Sequence, residues 1–99
     1  MAAPKHELIL PPTKKEALQR LHRIEGQIKG IQKMVEEGRY CVEVLEQISA
    51  VHEAMRGVGK LVMKNYLENC VTSSIRSGSS KKAKETYGEL LDVIYKFAK

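Results

Sequence analysis

Two cysteines, Cys41 and Cys70, carry the most distinctive chemistry in this chain of 99 residues. They lie in a stretch, residues 39–75, that has no proline and repeats apolar residues at helical spacing, so it predicts a long helix. Along a uniform α-helix, a separation of 29 positions places both thiols on one face but about 44 Å apart. A disulfide requires Cα atoms within about 7 Å, so a reaction that joins these thiols must occur between chains.

An antiparallel pair of such helices would bring the thiols together. If two copies pack about a two-fold axis with residue i facing residue 111 minus i, Cys41 of each chain faces Cys70 of the other. The midpoint of this pairing is near Met55 and Arg56. Small residues surround it: Ala50, Ala54, Gly57 and Gly59. Glycine inside a helix costs about 1 kcal/mol relative to alanine, so the two glycines indicate a close contact, a bend, or simply a weakened helix.

Length and composition predict a single cytoplasmic domain. A chain of 99 residues with one Phe, four Tyr and no Trp cannot bury much of itself as a few long helices, so we expect it to oligomerise. The cysteines form no CxxC pair and follow no secretory signal, which argues against a disulfide scaffold. No apolar run approaches the length of a membrane span.

The net charge of +5 is unevenly distributed along the chain. Residues 1–35 carry a net charge of +4, residues 36–75 a net charge of −2, and residues 76–99 a net charge of +3. The basic excess therefore flanks the segment that contains the cysteines. This pattern is typical of a helical scaffold with a polyanion-binding exterior, and the alternative is an ordinary lysine-rich surface.

The predicted fold is all-α, with three helices of which the central one is long. Residues 1–12 end in two prolines and predict a flexible N-terminal arm, and residues 13–99 predict a single helical domain. Thr13 and Glu16 have the spacing of a capping box that begins the first helix, and Gly38 is typical of a helix end. The apolar stripe of this helix comprises Leu18, Leu21, Ile24, Ile28, Ile31 and Val35.

Residues 77–80, which are rich in serine and glycine, predict a turn before the third helix. The side chains expected to be buried on that helix are Ala83, Tyr87, Leu90, Leu91, Ile94 and Phe97. Its first turn contains Lys81, Lys82 and Lys84, although the helix dipole favours acidic residues there. These lysines indicate contact with an external anion such as phosphate, or a tolerated surface cost.

Three sequence blocks together resemble the copper-sensitive operon repressor family of bacterial transcription regulators. They are RLHRIEGQIKGI at residues 20–31, Tyr40-Cys41 followed by LEQI at residues 45–48, and LENCV at residues 67–71. The resemblance extends from about Thr13 to Phe97. It implies an all-helical homotetramer, a dimer of dimers with an antiparallel helix pair in each dimer. It also implies a repressor, not an enzyme, that binds operator DNA without a helix-turn-helix.

Tyr66 departs from the pattern of the copper-sensing members. In those members the effector site joins the first cysteine to a histidine and a cysteine four residues apart on the partner chain, and Tyr66 occupies the histidine position. A neutral phenol is a poor ligand for Cu(I), which prefers thiolates and imidazole. The chain therefore resembles the persulfide-sensing branch, in which reactive sulfur species cross-link the two cysteines, and no cofactor is expected.

The positions of the thiols suggest different roles. Cys41 lies in the first predicted turn of its helix, near Arg39 and Tyr40, and a helix N-terminus and a guanidinium both favour a thiolate. We therefore expect Cys41 to be the nucleophile toward sulfane sulfur. Cys70, deep in the helix and close to Tyr66, would be the resolving thiol.

The candidate DNA contacts are basic residues of the first helix. Arg20 and Arg23 belong to the family-like block, and Lys15, Lys29 and Lys33 are assigned on charge alone. The three histidines have weaker claims. His52 is expected in a core or interface, and His22 lies in the basic block. His6 lies in the arm, where nickel- or cobalt-sensing relatives carry a ligand.

The leading hypothesis is a repressor released from operator DNA when persulfide or polysulfide cross-links Cys41 and Cys70. Three alternatives stay open. The same two thiolates could hold Cu(I) linearly. Cys41 could serve a sulfurtransferase, although no acid/base constellation accompanies it. A purely structural oligomer would leave the basic asymmetry unexplained.

Overall fold

The computed structural model describes residues 9–97, and these form helices joined by short turns, with no strand in that range. Helix α1 is Pro11–Glu36 and helix α2 is Cys41–Asn65. A π-helical segment, Tyr66–Val71, and a short helix α3, Thr72–Arg76, follow directly. Helix α4 is Ser80–Phe97. The predicted all-α class is confirmed, and within residues 9–97 no helix is both long and apolar enough to cross a membrane.

Helix α1 begins earlier than the capping box predicts. Its first residue is Pro11, and Leu10 occupies the N-cap position without a side-chain hydrogen bond, so the prediction of Thr13 as the first cap was wrong. Proline suits the first helical turn because its fixed φ is helical and its missing N–H would have no partner there. The last two residues of the predicted arm, which comprised residues 1–12, therefore belong to α1. Residues 1–8 lie outside the described range, and the flexibility of the arm stays a prediction.

A glycine ends α1 as predicted. Gly38 has a φ of +70°, a left-handed conformation that glycine adopts without a Cβ penalty. The Gly38 N–H donates to the carbonyl of Val35 at 3.1 Å, and the Arg39 N–H donates to the carbonyl of Met34 at 3.0 Å. These two bonds form a Schellman motif, which satisfies the last carbonyls of α1 and reverses the chain before α2.

The predicted uniform α-helix over residues 39–75 is interrupted at Tyr66–Val71. The Thr72 N–H donates to the carbonyl of Leu67, five residues back, as in a π-helix, and the Thr72 hydroxyl donates to the same carbonyl at 2.8 Å. The Asn69 side chain donates to the Asn65 carbonyl at 3.1 Å. Because the angle per residue differs in this segment, the 100° count does not establish that Cys41 and Cys70 share a face.

The structure divides into two units. In the unit Leu10–Val62, the buried side chains are Ala17 and Ile24 of α1 and Val58 of α2. In the other unit, whose described residues are Ile9 and 63–97, the buried side chains are Asn65, Cys70 and Val71.

Few of the predicted apolar stripes are buried within one chain. Of the α1 stripe only Ile24 is buried, and among the described residues of α4 no side chain is buried. The prediction of a buried α4 stripe was therefore wrong for the single chain. Leu91 is 57% exposed and Phe97 is 54% exposed, because no residue between 9 and 97 covers this face. Single exposed apolar residues are common, but a row of them on one helix indicates an interaction surface.

Candidate functional site

Cys41 lies in the first turn of α2, as the sequence predicts; the helix begins at Cys41 itself, and the residue is exposed. The Schellman motif at the end of α1 positions it, because only Arg39 and Tyr40 separate the left-handed Gly38 from the new helix. The Tyr40 carbonyl accepts a hydrogen bond of 3.2 Å from the Val44 N–H, which is the first turn of α2. The Cys41 thiol therefore stands at a helix N-terminus and is open to solvent in the single chain.

Arg39 is paired with an acid in the structure. Its Nη2 donates to Oε2 of Glu43, one turn into α2, and both side chains are about half exposed. The sequence predicts that the guanidinium favours a thiolate at Cys41. The ion pair with Glu43 partly offsets the charge of the guanidinium, and its effect on Cys41 stays a prediction.

Cys70 lies in a different environment from Cys41. It is 8% exposed and belongs to the π-helical segment. This segment, α3 and α4 together line a polar cleft, and Cys70 is one of its lining residues. The other residues that line this cleft are mostly hydroxyl-bearing or charged: Tyr66, Ser73, Ser74, Ser77, Lys82, Glu85, Thr86 and Glu89. A small polar molecule in this cleft would meet the thiol of Cys70 beside hydroxyl groups.

The phenol of Tyr66 is directed at a carboxylate. Its hydroxyl donates to Oε1 of Glu89 at 2.6 Å. Burial raises the pKa of the Tyr66 phenol well above its usual range, and the hydrogen bond and negative charge of Glu89 raise it further, with a smaller effect from Cys70. The phenol is thus a neutral donor near Cys70 and cannot serve as an anionic ligand. Periodicity could not have revealed this pair, since the two residues are 23 positions apart.

A second set of hydroxyl contacts holds α3 against α4. The hydroxyls of Ser74 and Thr86 are 2.5 Å apart, and the Ser74 hydroxyl also donates to the Lys82 carbonyl at 3.1 Å. The Lys82 N–H donates to the Ser79 hydroxyl at 3.2 Å, which caps α4. The turn predicted at residues 77–80 is confirmed to Ser79, and Ser80 already belongs to α4. These bonds position Glu89, two turns further along α4, toward Tyr66.

Three of the five predicted DNA-binding residues line one cleft. Lys15, Arg20 and Arg23 of α1 are grouped there, whereas Lys29 and Lys33 lie further along α1, exposed and outside it. The remaining lining residues are Pro12, Glu16, Gln19, Ile24, Gln27 and Ala54. Three cations beside two glutamine amides form a surface suited to phosphate oxygens.

Arg20 is constrained on two sides within this cleft. Its Nη2 forms an ion pair of 2.7 Å with Oε2 of Glu16, one turn earlier on α1. Its Nη1 lies against Gly57 of α2, where an added Cβ would stand 3.2 Å away. Of the small residues near the middle of α2, Gly57 therefore makes a close approach, and it is to an arginine of α1.

The histidines do not assemble a metal site within the described residues. His22 is exposed and lies 3.6 Å from a Glu25 oxygen through Nδ1. His52 is exposed in the single chain, so the alternative of a core histidine was wrong, while an interface role is untested. His6 lies outside residues 9–97. Within that range no group of three His, Cys, Asp or Glu side chains is placed to hold a metal ion.

Comparison with known proteins identifies the chain's relatives. Residues 13–96 match the metal-sensitive transcriptional repressor family. The chain is 48% identical over 86 residues to the copper-sensing transcriptional repressor CsoR of Bacillus subtilis, covering 87% of this chain and 82% of that protein. It is 48% identical over 59 residues to the copper-sensing transcriptional repressor RicR of Mycobacterium tuberculosis, covering 60% of this chain and 62% of that protein.

A solved structure extends the similarity to the whole fold. The copper-sensing repressor CsoR with Cu(I) from Geobacillus thermodenitrificans matches with a TM-score of 0.79 at 40% identity, covering 100% of this chain and 94% of that chain. These relatives are named as repressors, not as enzymes, and as copper sensors; none of them distinguishes a persulfide-sensing branch. The match across residues 13–96 confirms the resemblance drawn from the RLHRIEGQ block, and this chain belongs to the metal-sensitive transcriptional repressor family.

Proposed function

We propose that this chain is a cytoplasmic operator-binding repressor that loses DNA affinity when an effector engages the thiols of Cys41 and Cys70 on neighbouring chains. The family match carries the proposal, because a metal-sensitive repressor with two cysteines has few other soft ligands to offer. In this proposal the working assembly is a homotetramer, a dimer of dimers, in which the exposed apolar face of α4 is covered.

The comparisons favour Cu(I) as the effector over reactive sulfur species. Two relatives at 48% and 40% identity are named as copper-sensing, and the second was solved with Cu(I). Cu(I) is a soft cation that prefers thiolates, and two thiolates from neighbouring chains satisfy linear coordination. Cys41 and Cys70 are the residues that would hold it, and bound Cu(I) would link two chains without any change in the oxidation state of sulfur.

Tyr66 supports a second candidate effector, a persulfide or polysulfide. Its protonated phenol donates to Glu89 and offers the site no third soft ligand, so the thiols are left as the reactive groups. The Cys41 thiolate would attack the sulfane sulfur of a persulfide RSSH, which releases the thiol RSH and leaves a persulfide on Cys41. Attack by the Cys70 thiolate on the inner sulfur of that persulfide would then form the disulfide and release hydrogen sulfide.

One titration separates the two effectors. A DNA duplex selected by the protein from a random library is labelled, and its release is followed by fluorescence anisotropy as Cu(I) or sodium tetrasulfide is added. Release by stoichiometric Cu(I), reversed by a Cu(I) chelator, is expected for the copper sensor. Release by tetrasulfide, reversed by dithiothreitol and accompanied by a Cys41–Cys70 link in mass spectra, identifies the sulfur sensor. Release by either agent from the Cys41→Ala variant would contradict the proposal.

The role of Tyr66 is tested by supplying an imidazole. If the two-thiolate site lacks a third ligand, Tyr66→His raises Cu(I) affinity, measured by competition with a chelator, because imidazole suits copper better than phenol. The matched control is Tyr95→His, which adds the same group on α4 where the side chain is 75% exposed. Equal Cu(I) affinity of the wild-type protein and the Tyr66→His variant would show that Tyr66 does not limit the site.

The proposed DNA surface is the cleft of α1 that contains Lys15, Arg20 and Arg23. Lys29 and Lys33 would add phosphate contacts outside the cleft. Each phosphate neutralised in duplex DNA releases counterions, so the logarithm of affinity falls with the logarithm of salt by about 0.9 per contact. Arg20→Ala and Arg23→Ala should reduce this slope without changing the oligomeric state. Unchanged binding by both variants would place the DNA surface elsewhere.

A further inference from the structure

The contact between Arg20 and Gly57 distinguishes this glycine from others in helices of the chain. At Gly57 an added Cβ would stand 3.2 Å from Arg20 Nη1, closer than most carbon contacts in proteins. At Gly26, Gly30 and Gly88, which are also helical, an added Cβ would meet nothing within 4 Å. Glycine is unfavourable inside a helix, so a glycine that leaves room for a specific atom has a packing reason, and among residues 9–97 the other three have no such neighbour.

The other amino group of the same guanidinium is paired with an acid. Nη2 of Arg20 is paired with the Glu16 carboxylate at 2.7 Å, while Nη1 occupies the space above Gly57. The planar guanidinium therefore lies between the Glu16 carboxylate and the space above Gly57. In that orientation Arg20 lines the cleft with Lys15 and Arg23, and its side chain is still 42% exposed to an incoming phosphate.

We propose that Gly57 is a positioning residue for DNA binding: the absence of a side chain there leaves room beside α2 for the Arg20 guanidinium, which lines the cleft of α1. This inference rests on the proposed function, because it requires Arg20 to contact DNA. A side chain at position 57 displaces the guanidinium from α2, and the displacement grows with the size of the side chain. Gly57 itself does not contact DNA in this proposal.

The experiment is a graded double-mutant cycle with a matched control. Gly57→Ala and Gly57→Leu are made in the wild-type protein and in the Arg20→Ala variant. Gly88→Ala and Gly88→Leu make the same replacements at a helical glycine with open space around it. Circular dichroism and sedimentation establish that each variant keeps its helices and its oligomeric state. Affinity for the selected duplex is then measured across a series of salt concentrations.

The expected result has three parts. Gly57→Leu reduces the salt slope as far as Arg20→Ala does, about 0.9 per lost phosphate contact, and Gly57→Ala reduces it less. Neither replacement changes affinity further in the Arg20→Ala variant, because the residue through which Gly57 acts has been removed. Both Gly88 variants bind DNA as the wild-type protein does.

Failure of the positioning role is distinguishable from failure of the DNA surface. If Arg20→Ala weakens binding but Gly57→Leu does not, the positioning role is wrong and the proposed DNA surface stands. If Gly57→Leu weakens binding equally with and without Arg20, Gly57 acts by another route and the inference is again wrong. If Arg20→Ala binds as the wild-type protein does, the proposed DNA surface fails and the role of Gly57 fails with it. Should Gly57→Leu not fold, the smaller Gly57→Ala replacement distinguishes the same three outcomes.

Discussion

The Tyr66 hydroxyl donates a hydrogen bond of 2.6 Å to Glu89, and this bond joins the π-helical segment that contains Cys70 to helix α4. Burial raises the pKa of the Tyr66 phenol and this bond raises it further, so Cys70 is the soft ligand of the segment. π-helical turns inside α-helices are often found at functional sites. Here the π-helical segment contains both Tyr66 and the buried cysteine.

Removing the hydroxyl of Tyr66 should destabilise the fold. Tyr66→Phe keeps the ring but loses the bond to Glu89, so we expect the free energy of unfolding to fall by about 1 kcal/mol, the usual net value for a hydrogen bond that water can partly replace. Urea unfolding measures this change in the free energy of unfolding. The control is Tyr95→Phe, which removes the hydroxyl of a residue that is 75% exposed. Equal losses in both variants would show that the bond to Glu89 contributes nothing.

The raised pKa of Tyr66 predicts a loss of stability at alkaline pH. The unfolded tyrosine ionises near pH 10, below the pKa in the folded state, so the unfolded chain loses its proton first. The contribution of the neutral phenol is thus fully present below about pH 10 and decreases as the pH rises above it. Unfolding of the wild-type protein and Tyr66→Phe between pH 8 and 11 should therefore converge as the pH rises. A constant difference in the free energy of unfolding between the two proteins across this range would contradict the raised pKa of Tyr66.

The two thiols should react at different rates. Cys41 is exposed and Cys70 is 8% exposed, so iodoacetamide should alkylate Cys41 first in the native protein. Peptide mass spectrometry after short labelling times measures each site, and labelling in urea, where both react, is the control. Faster labelling of Cys70 would reverse the assignment of Cys41 as the accessible nucleophile.

The acid that pairs with Arg20 should restrain DNA binding. Glu16→Gln removes a carboxylate that competes with phosphate for Arg20, so affinity for DNA should rise, while the loss of an i,i+4 pair lowers helix stability by about 0.3 to 0.5 kcal/mol. Glu25→Gln makes the same charge change on α1 next to His22 and is the control. If both variants raise affinity equally, the effect is one of net charge and not of Arg20.

The exposed face of α4 should support the assembly. Leu91 is 57% exposed, and burying a leucine fully is worth about 1.5 to 3 kcal/mol, a gain repeated in every chain of an oligomer. Leu91→Asn should therefore shift the proposed tetramer toward smaller species in sedimentation equilibrium. Asp92→Asn places the same residue at the next position as a control. A wild-type monomer at micromolar concentration would overturn the tetramer itself.

The sequence by itself determined the elements whose signals are local. Apolar periodicity predicted the helices, and the left-handed requirement at Gly38 predicted the end of α1, because both depend on neighbouring residues. The cysteines and the RLHRIEGQ block of residues 20–31 identified the family before any coordinates, since residue types at fixed spacing need no tertiary information. The prediction that Thr13 caps α1 was wrong because prolines also suit a first helical turn, and α1 begins at Pro11.

Only the tertiary structure decided how the residues near the two sites are paired. At the π-helical turn of Tyr66–Val71, backbone carbonyls accept hydrogen bonds from the side chains of Asn69 and Thr72, and apolar periodicity carries no information about such bonds. Tyr66 meets Glu89 because α4 returns along α3, and Arg20 meets Gly57 because the two belong to different helices. Such contacts join residues far apart in sequence, and their partners are chosen by packing geometry, which no local pattern encodes.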